Sequence, residues 1–196
     1  KKLKKKENKK KSNNKIIAIT SHHADRYKII KNIEKSHKSN IFIHLYLKSI
    51  LQFFFLKITS KSIHGANKKD FKFFPMNTKD VENVTNKDDV ILDIHHPNQT
   101  GLTLRSIEAI GMGLKLATSN SSISRYKIFS EKNIYVFDRH NPEIPKYFIA
   151  QKADNESNIN SINKLEFRNW VKVILGLAPY KMKDYTDFDI RSLLDK

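Results

Sequence analysis

Residues 90–120, VILDIHHPNQTGLTLRSIEAIGMGLKLATSN, decide the expected fold of this chain. The stretch begins with a largely apolar, β-branched run, Val90 to Ile94, and continues through a proline-containing loop into a helical pattern. It ends in a second short apolar run, Leu114 to Thr118. A length of about thirty residues is typical of a strand, helix, strand crossover between parallel strands. Functional groups in such a unit are expected where the first strand ends and the helix begins.

Polar residues crowd that junction, and Gly101 there permits a tight turn or a close approach of the backbone to a ligand. The first amides of the following helix, from about Leu102 to Arg105 and including Thr103, predict an anion site because they have no intrahelical acceptor. The polar residues are His95, His96, Asn98, Gln99 and Thr100.

The same helix is expected to bury a stripe with a period of 3.6 residues. Glu108 follows Thr103 by five residues, which is roughly 7.5 Å along the helix at 1.5 Å per residue. A carboxylate at this offset can accept hydrogen bonds from ribose hydroxyls while the helix start holds phosphates. The expected stripe consists of Leu104, Ile107, Ile110, Gly111 and Leu114.

Two further predicted strands also end in polar loops. The run at residues 15–20 leads into His22, His23 and Arg26, and the run at 134–137 leads into Arg139. Because the ends of parallel strands gather at one edge of a sheet, these loops are expected to meet. Two roles stay open for each arginine: Arg26 binds phosphate or forms a surface ion pair, and Arg139 binds phosphate or pairs with Asp138.

Adjacent histidines raise the question of a metal site. His22 and His23 point in different directions on a strand or loop end, as do His95 and His96, and no second ligand pair at helical spacing supports them. Hydrogen bonding within the loops, or contact with a ligand by at least one ring, is the favoured interpretation.

Alternating strands and helices predict an α/β fold: a doubly wound, mainly parallel sheet flanked by helices in three layers, Rossmann-like in type. Residues 1–14 are expected to be a disordered basic segment, either a linker or an arm for anionic lipid. Residues 15–176 form the predicted domain, and residues 177–196 form a tail. Asp93, inside a predicted strand, is expected to anchor a loop.

The Phe53-Phe54-Phe55 cluster lies in a predicted helix between lysines. It packs a core or an interdomain contact, or it enters a membrane interface. Core packing is the more common of these roles.

Composition gives broad limits. The chain has 196 residues and a net charge of +17, which suggests a polyanionic partner, although the excess of lysine, asparagine and isoleucine is also typical of AT-rich coding sequence. Cysteine is absent, which excludes disulfides and cysteine metal sites. With no run of about twenty uncharged apolar residues, the expected location is cytoplasmic, extending to the inner face of the cytoplasmic membrane.

The central stretch resembles a known motif. Thr100-Gly101-Leu102-Thr103-Leu104, followed by Ile107-Glu108-Ala109, Gly113 and Leu116-Ala117-Thr118, resembles the donor-sugar motif of GT-B glycosyltransferases. The longer string DIHHPNQTGLTLRSIEAIG, with ADRYKI upstream and NIYVFDRHNPEIP downstream, resembles a bacterial family of lipopolysaccharide and exopolysaccharide biosynthesis transferases. This similarity covers about residues 16–170.

The resemblance implies the C-terminal, donor-binding half of a transferase that moves a sugar from a nucleotide diphosphate to a lipopolysaccharide or exopolysaccharide acceptor. No cofactor or metal is implied, and the acceptor-binding half is missing or supplied by another chain. The general base belongs to that half, so no catalytic residue is named. Glu108 is the implied ribose contact. The implied diphosphate contacts are Gly101, Leu102, Thr103, Arg105 and Arg26. The other loop candidates are His22, His23, His96, Gln99, Thr100 and Arg139.

Two positions depart from the family pattern: Thr100 replaces a glutamate and Lys115 replaces a proline. A rival interpretation is a non-catalytic basic α/β module that binds nucleic acid or anionic membrane. Basic residues are spread along the chain without an aromatic RNA-binding motif or a helix-turn-helix pattern, so a nucleic-acid partner is not expected.

Overall fold

A parallel β-sheet forms the centre of the molecule. The computed structural model describes residues 14–38, 40–99, 101–126 and 129–154. Thr100, most of the basic segment, the part of the predicted domain after residue 154 and the tail at 177–196 lie outside these residues. The strands are β1 (Ile16–Ser21), β2 (Ile41–Tyr46), β3 (Val90–Asp93), β4 (Lys115–Thr118) and β5 (Ile134–Val136).

Five α-helices accompany these strands in the described residues. They are α1 (Arg26–Ser36), α2 (Ile50–Thr59), α3 (Thr78–Val84), α4 (Leu104–Gly111) and α5 (Lys146–Ala150). Short 3-10 helices span Lys61–Ile63, Lys68–Asp70 and Ser121–Arg125.

The strand order is β2-β1-β3-β4-β5, and every pairing is parallel. After β1 the chain adds β2 on one side and then returns to add β3 on the other. In open α/β sheets such a reversal opens a crevice at the strands' carboxyl ends. Beside β2, Tyr46 and Lys72 form an isolated parallel bridge.

Both faces of the sheet are covered, as alternating side chains in buried strands require. Ile16 and Ala18 face a core that includes α1, Phe53 of α2 and Phe148 of α5. Ile17 and Leu116 face the opposite core, which includes α4. The predicted parallel sheet with flanking helices is therefore confirmed, and the arrangement is consistent with three layers.

Hydrogen bonds from side chains fix the helix starts. Ser49 Oγ accepts the Gln52 amide at 3.1 Å ahead of α2. At α3 a reciprocal capping box joins Asn77 and Asp80, so Asn77 is the cap. Thr103 Oγ1 accepts the Ser106 amide at 3.0 Å and starts α4.

The buried face of α4 differs from the predicted stripe. Leu104 is 71% exposed and Gly111 is exposed, so the prediction is wrong for both, whereas Ile110 and Leu114 are buried. Ser106 is fully buried because its hydroxyl donates to Asp93 at 2.9 Å. Residues two positions apart on a helix point about 200° away from each other around the axis. Because Ser106 faces the core, Leu104 faces solvent.

A buried lysine binds the end of α5 at the amino-terminal edge of the sheet. Lys115, at the start of β4, is 0% exposed. Its Nζ donates to the carbonyls of Phe148, Ile149 and Gln151 at 2.9, 2.7 and 2.6 Å, at the end of α5. Asn14, which the sequence places in the disordered segment, is buried and donates to Ile149 O at 3.0 Å.

Candidate functional site

Loops from three strands meet at the carboxyl edge of the sheet. Arg139, after β5, donates from Nε and Nη2 to the two carboxylate oxygens of Asp25, after β1, with Nε at 2.9 Å. Its Nη1 donates to the carbonyl of His95, after β3, at 2.8 Å. The predicted convergence is thus observed, and Arg139 pairs with Asp25 rather than Asp138. Residues 119–120, after β4, reach the same edge through the contact of Ser119 with His95. We call residues 21–26, 94–99, 101–103, 119–120 and 138–140 the strand-end rim.

Arg26 binds backbone carbonyls at the same edge. Its Nε donates to Ile94 O at 2.8 Å, and its Nη1 donates to Ser21 O at 3.1 Å. Burial lowers the pKa of the Arg26 guanidinium, and the nearby Asp93 carboxylate opposes that shift. Arg26 therefore ties the end of β1 to the end of β3 through carbonyl acceptors.

Asp93 holds the start of α4 against the sheet. The carboxylate, 4% exposed, accepts Thr103 Oγ1 at 2.9 Å, Ser106 Oγ at 2.9 Å and Thr118 Oγ1 at 2.8 Å. Charge-assisted hydrogen bonds of this kind are roughly twice as strong as neutral ones. Asp93 is thus a loop anchor, as its sequence position predicts.

The turn before α4 is fixed from two sides. Asn120, 2% exposed, donates from Nδ2 to Gly101 O at 3.0 Å. Gln99 donates from Nε2 to Leu102 O at 3.2 Å. An added Cβ at Gly101 would meet no atom within 4 Å. The backbone turn is therefore held in place beside open space, which is the condition for a ligand to approach it.

The rim histidines contact one another and nearby hydroxyls. The rings of His23 and His96 meet edge to face with centroids 4.4 Å apart. His95 Nδ1 lies 2.7 Å from Ser119 Oγ, and His22 Nε2 lies 3.1 Å from Ser62 Oγ. Loop hydrogen bonding is therefore observed for His95 and His22. Within the described ranges no group of three or more His, Asp or Glu side chains is placed to hold a metal ion.

Protonation of His22, His23 and His95 is disfavoured. Burial, followed by the charges of His23 and Arg26, lowers the pKa of His22 to about 4. Burial also lowers the pKa of His23 and of His95. For His95 the Arg139 charge adds to the shift and the Asp93 carboxylate opposes it. Arg26 and Arg139 supply the permanent positive charges of this edge, and Asp25 pairs with Arg139.

Glu108 lies on the flank of α4 rather than at its start. Its carboxylate is 3.4 Å from Arg105 Nη1, and the two side chains are 45% and 33% exposed. The pair lines a narrow crevice of about 10 Å³ together with Ile17, Ile19, Val81, Ile91, Ala109 and Met112. The structure thus brings Arg26, Arg139, Gln99, Gly101 and Thr103 together at the rim and places Arg105 and Glu108 beside one another along the helix.

Several rim residues are absent from the sequence-based prediction. Asp25 is the partner of Arg139, and its position directly before Arg26 at a strand end was the available signal. The end of β4 continues into Ser119 and Asn120, a polar pair after an apolar strand. The same criterion that selects the other three loops would have selected this one, and with it the contact from Asn120 to Gly101.

The chain matches no protein-family model, no curated protein and no solved structure. Membership of a GT-B family therefore stays a prediction based on the motif at residues 100–118. Across the described part of the chain, no helix is long and apolar enough to cross a bilayer.

Proposed function

We propose that this chain binds a nucleotide-diphosphate sugar at the strand-end rim. In this proposal it is the donor-binding half of a glycosyltransferase that acts on a lipopolysaccharide or exopolysaccharide acceptor. The observation that supports it most directly is the double contact of Arg139 with Asp25 and with the His95 carbonyl. This contact fixes the loops after β1, β3 and β5 into a preorganised edge beside the start of α4.

The diphosphate would bind between α4 and the two arginines. Thr103 already caps the Ser106 amide, so the first two helix amides, of Leu104 and Arg105, are the ones without an intrahelical acceptor. A helix N-terminus favours anions through these amides and its dipole. The open space beside Gly101 lets phosphate oxygens reach them.

The ribose would bind along the flank of the helix at Glu108. Its hydroxyls would replace the contact between Glu108 and Arg105, which as a partly exposed ion pair is worth about 1 kcal/mol or less. Arg105, once released, would be free to turn toward the diphosphate. The ligand would thereby extend from the helix start along the exposed side of α4 to Glu108.

Transfer of the sugar breaks the bond between its anomeric carbon and the diphosphate oxygen, and negative charge develops on the departing diphosphate. Fixed amides and guanidinium groups stabilise such charge without reorganisation. The acceptor and its general base would be supplied by a separate domain or chain. We therefore expect binding without turnover from this chain alone.

A calorimetric titration with UDP-, GDP-, ADP-, CMP- and dTDP-sugars, with and without EDTA, tests the proposal. We expect one nucleotide class to bind equally well in both conditions. Glu108→Gln should weaken binding by about tenfold, the effect of one lost hydrogen bond to a charged group. Glu82→Gln on the exposed surface of α3 is the matched control and should bind like the parent.

Gly101→Val tests the rim separately from the ribose contact. The space around Gly101 accommodates a side chain, so the variant should keep the parent melting temperature and lose donor binding. The proposal fails if no nucleotide sugar binds, or if Gly101→Val binds as well as the parent.

A further inference from the structure

Helix α2 presents a row of large apolar side chains to solvent. Leu51, Phe54, Phe55 and Ile58 are 80, 52, 65 and 86% exposed. Their spacing of i, i+3, i+4 and i+7 places all four on one face of the helix. We call this set the outer apolar stripe. Contiguous exposed apolar patches are uncommon on soluble monomers and mark interaction sites.

The stripe is not needed to hold α2 in the fold. Phe53 provides the buried contact: it is 2% exposed, and its ring lies 5.5 Å from that of Phe71. Of the three phenylalanines in the cluster, only this one packs in the core as the sequence favours. Ser49 caps the start of the helix, and Leu56 packs partly buried against the same core. One apolar face of the helix therefore packs against the core, and the second is exposed and available to contact another molecule.

The charges around the stripe identify that occupant. No aspartate or glutamate occurs between Glu34 and Asp70. Lys48, Lys57 and Lys61 are exposed and lie just before, within and just after α2. Apolar and aromatic side chains on one face with lysines beside them are typical of helices that lie in the interface of an anionic bilayer.

We propose that α2 is a membrane-docking helix. Leu51, Phe54, Phe55 and Ile58 enter the boundary between headgroups and acyl chains of an anionic bilayer, and the lysines contact the lipid phosphates. With ten residues, α2 is about 15 Å long, which suits a helix lying in the plane of the interface. This docking does not depend on nucleotide-sugar binding.

Docking through α2 would bring the rim close to the membrane surface. The segment directly after α2 contains Ser62, whose hydroxyl lies 3.1 Å from Nε2 of the rim residue His22. Ser60 Oγ donates to Ser62 Oγ at 2.8 Å and connects this contact to the end of the helix. Together with the proposed function, this arrangement would present the bound donor to a lipid-linked acceptor.

Vesicle flotation with the full chain tests the docking. We expect binding to phosphatidylcholine vesicles that contain about 30% phosphatidylglycerol, and little binding to phosphatidylcholine alone. The double variant Phe54→Ser, Phe55→Ser should reduce the affinity by about tenfold or more. Tyr147→Ser removes an aromatic side chain that is 67% exposed on α5 and is the matched control.

A tryptophan reporter locates the contact. Emission from Phe55→Trp should shift to the blue when anionic vesicles are added, whereas Tyr147→Trp should show only the change seen in the parent. Equal binding to neutral vesicles would overturn the proposal, and so would unchanged affinity of the double serine variant. Loss of binding on deletion of residues 1–11, with the stripe intact, would assign docking to the basic segment instead. Concentration-dependent dimers that the serine variant abolishes would assign the stripe to a second copy of the chain.

Discussion

The Arg139 guanidinium forms a two-point contact with the Asp25 carboxylate across the carboxyl edge of the sheet. The two residues follow β5 and β1, which are separated in the sheet by β3 and β4. The remaining Arg139 donor, Nη1, binds the His95 carbonyl after β3. A planar guanidinium matches a carboxylate in this geometry, which a lysine cannot reproduce. One side chain thus fixes the relative positions of three loops.

Arg139→Lys and Asp25→Asn should each lower the free energy of unfolding by about 1 kcal/mol, because Asp25 is 42% exposed and solvent weakens the pair. The double variant should show a coupling of about 0.5 to 1 kcal/mol, measured by urea denaturation. Asp138→Asn, at an exposed position in the same rim, is the control. Fully additive effects would show that the two residues do not act as a pair.

Asp93→Ala should be the most damaging substitution at the rim. It leaves the hydroxyls of Thr103, Ser106 and Thr118 without their common acceptor, and losing a buried charged partner costs about 3 kcal/mol. Urea denaturation measures the loss, and amide hydrogen exchange should show faster opening at the start of α4. An exchange pattern unchanged at Ser106 and Ile107 would contradict the anchoring role.

The sequence predicts the sheet well because buried parallel strands are read directly from continuous apolar runs. The strand at 90–93 and the loops after β1, β3 and β5 all follow from this signal. The exposed face of α4 cannot be predicted from this signal. Ser106 is buried because it donates a hydrogen bond to Asp93, and the periodicity of the sequence does not reveal a contact between residues on different elements.

The same limit applies to the site. A polar loop at a strand end is visible in the sequence, but the partner of each side chain depends on strand order. Arg139 reaches Asp25 only because the sheet places the ends of β1, β3 and β5 around one edge. The sequence likewise does not show which ring of the Phe53-Phe54-Phe55 cluster is buried. The position of α2 on the sheet determines that Phe53 is buried and the other two rings are exposed.

His22 should make the fold sensitive to mild acid. Burial lowers its pKa from 6.5 to about 4, so between these pH values the unfolded chain binds a proton that the folded chain does not. The stability contributed by the neutral His22 ring is fully present above pH 6.5 and is lost as the pH drops toward 4. His22→Gln should flatten this part of the profile of unfolding free energy against pH, whereas His140→Gln at an exposed rim position should not. The slope that remains is assigned to His23, His37 and His95, whose pKa burial also lowers.

Lys115 should make the free energy of unfolding depend on pH in the alkaline range. Burial lowers the pKa of its ammonium from 10.5 to about 8, so between these values the unfolded chain holds a proton that the folded chain has released. The free energy of unfolding therefore rises with pH across this window, with a limiting slope of about 1.4 kcal/mol per pH unit.

Lys115→Met should abolish that rise. It should also lower stability at pH 7, because the carbonyls of Phe148, Ile149 and Gln151 lose their shared donor. Lys28→Met on the exposed side of α1 is the control and should keep the parent profile. Nitrogen-15 spectra of the lysine side chains measure the titration directly. A Lys115 pKa near 10.5 would contradict this prediction and show that the three carbonyl contacts offset the cost of burying the ammonium.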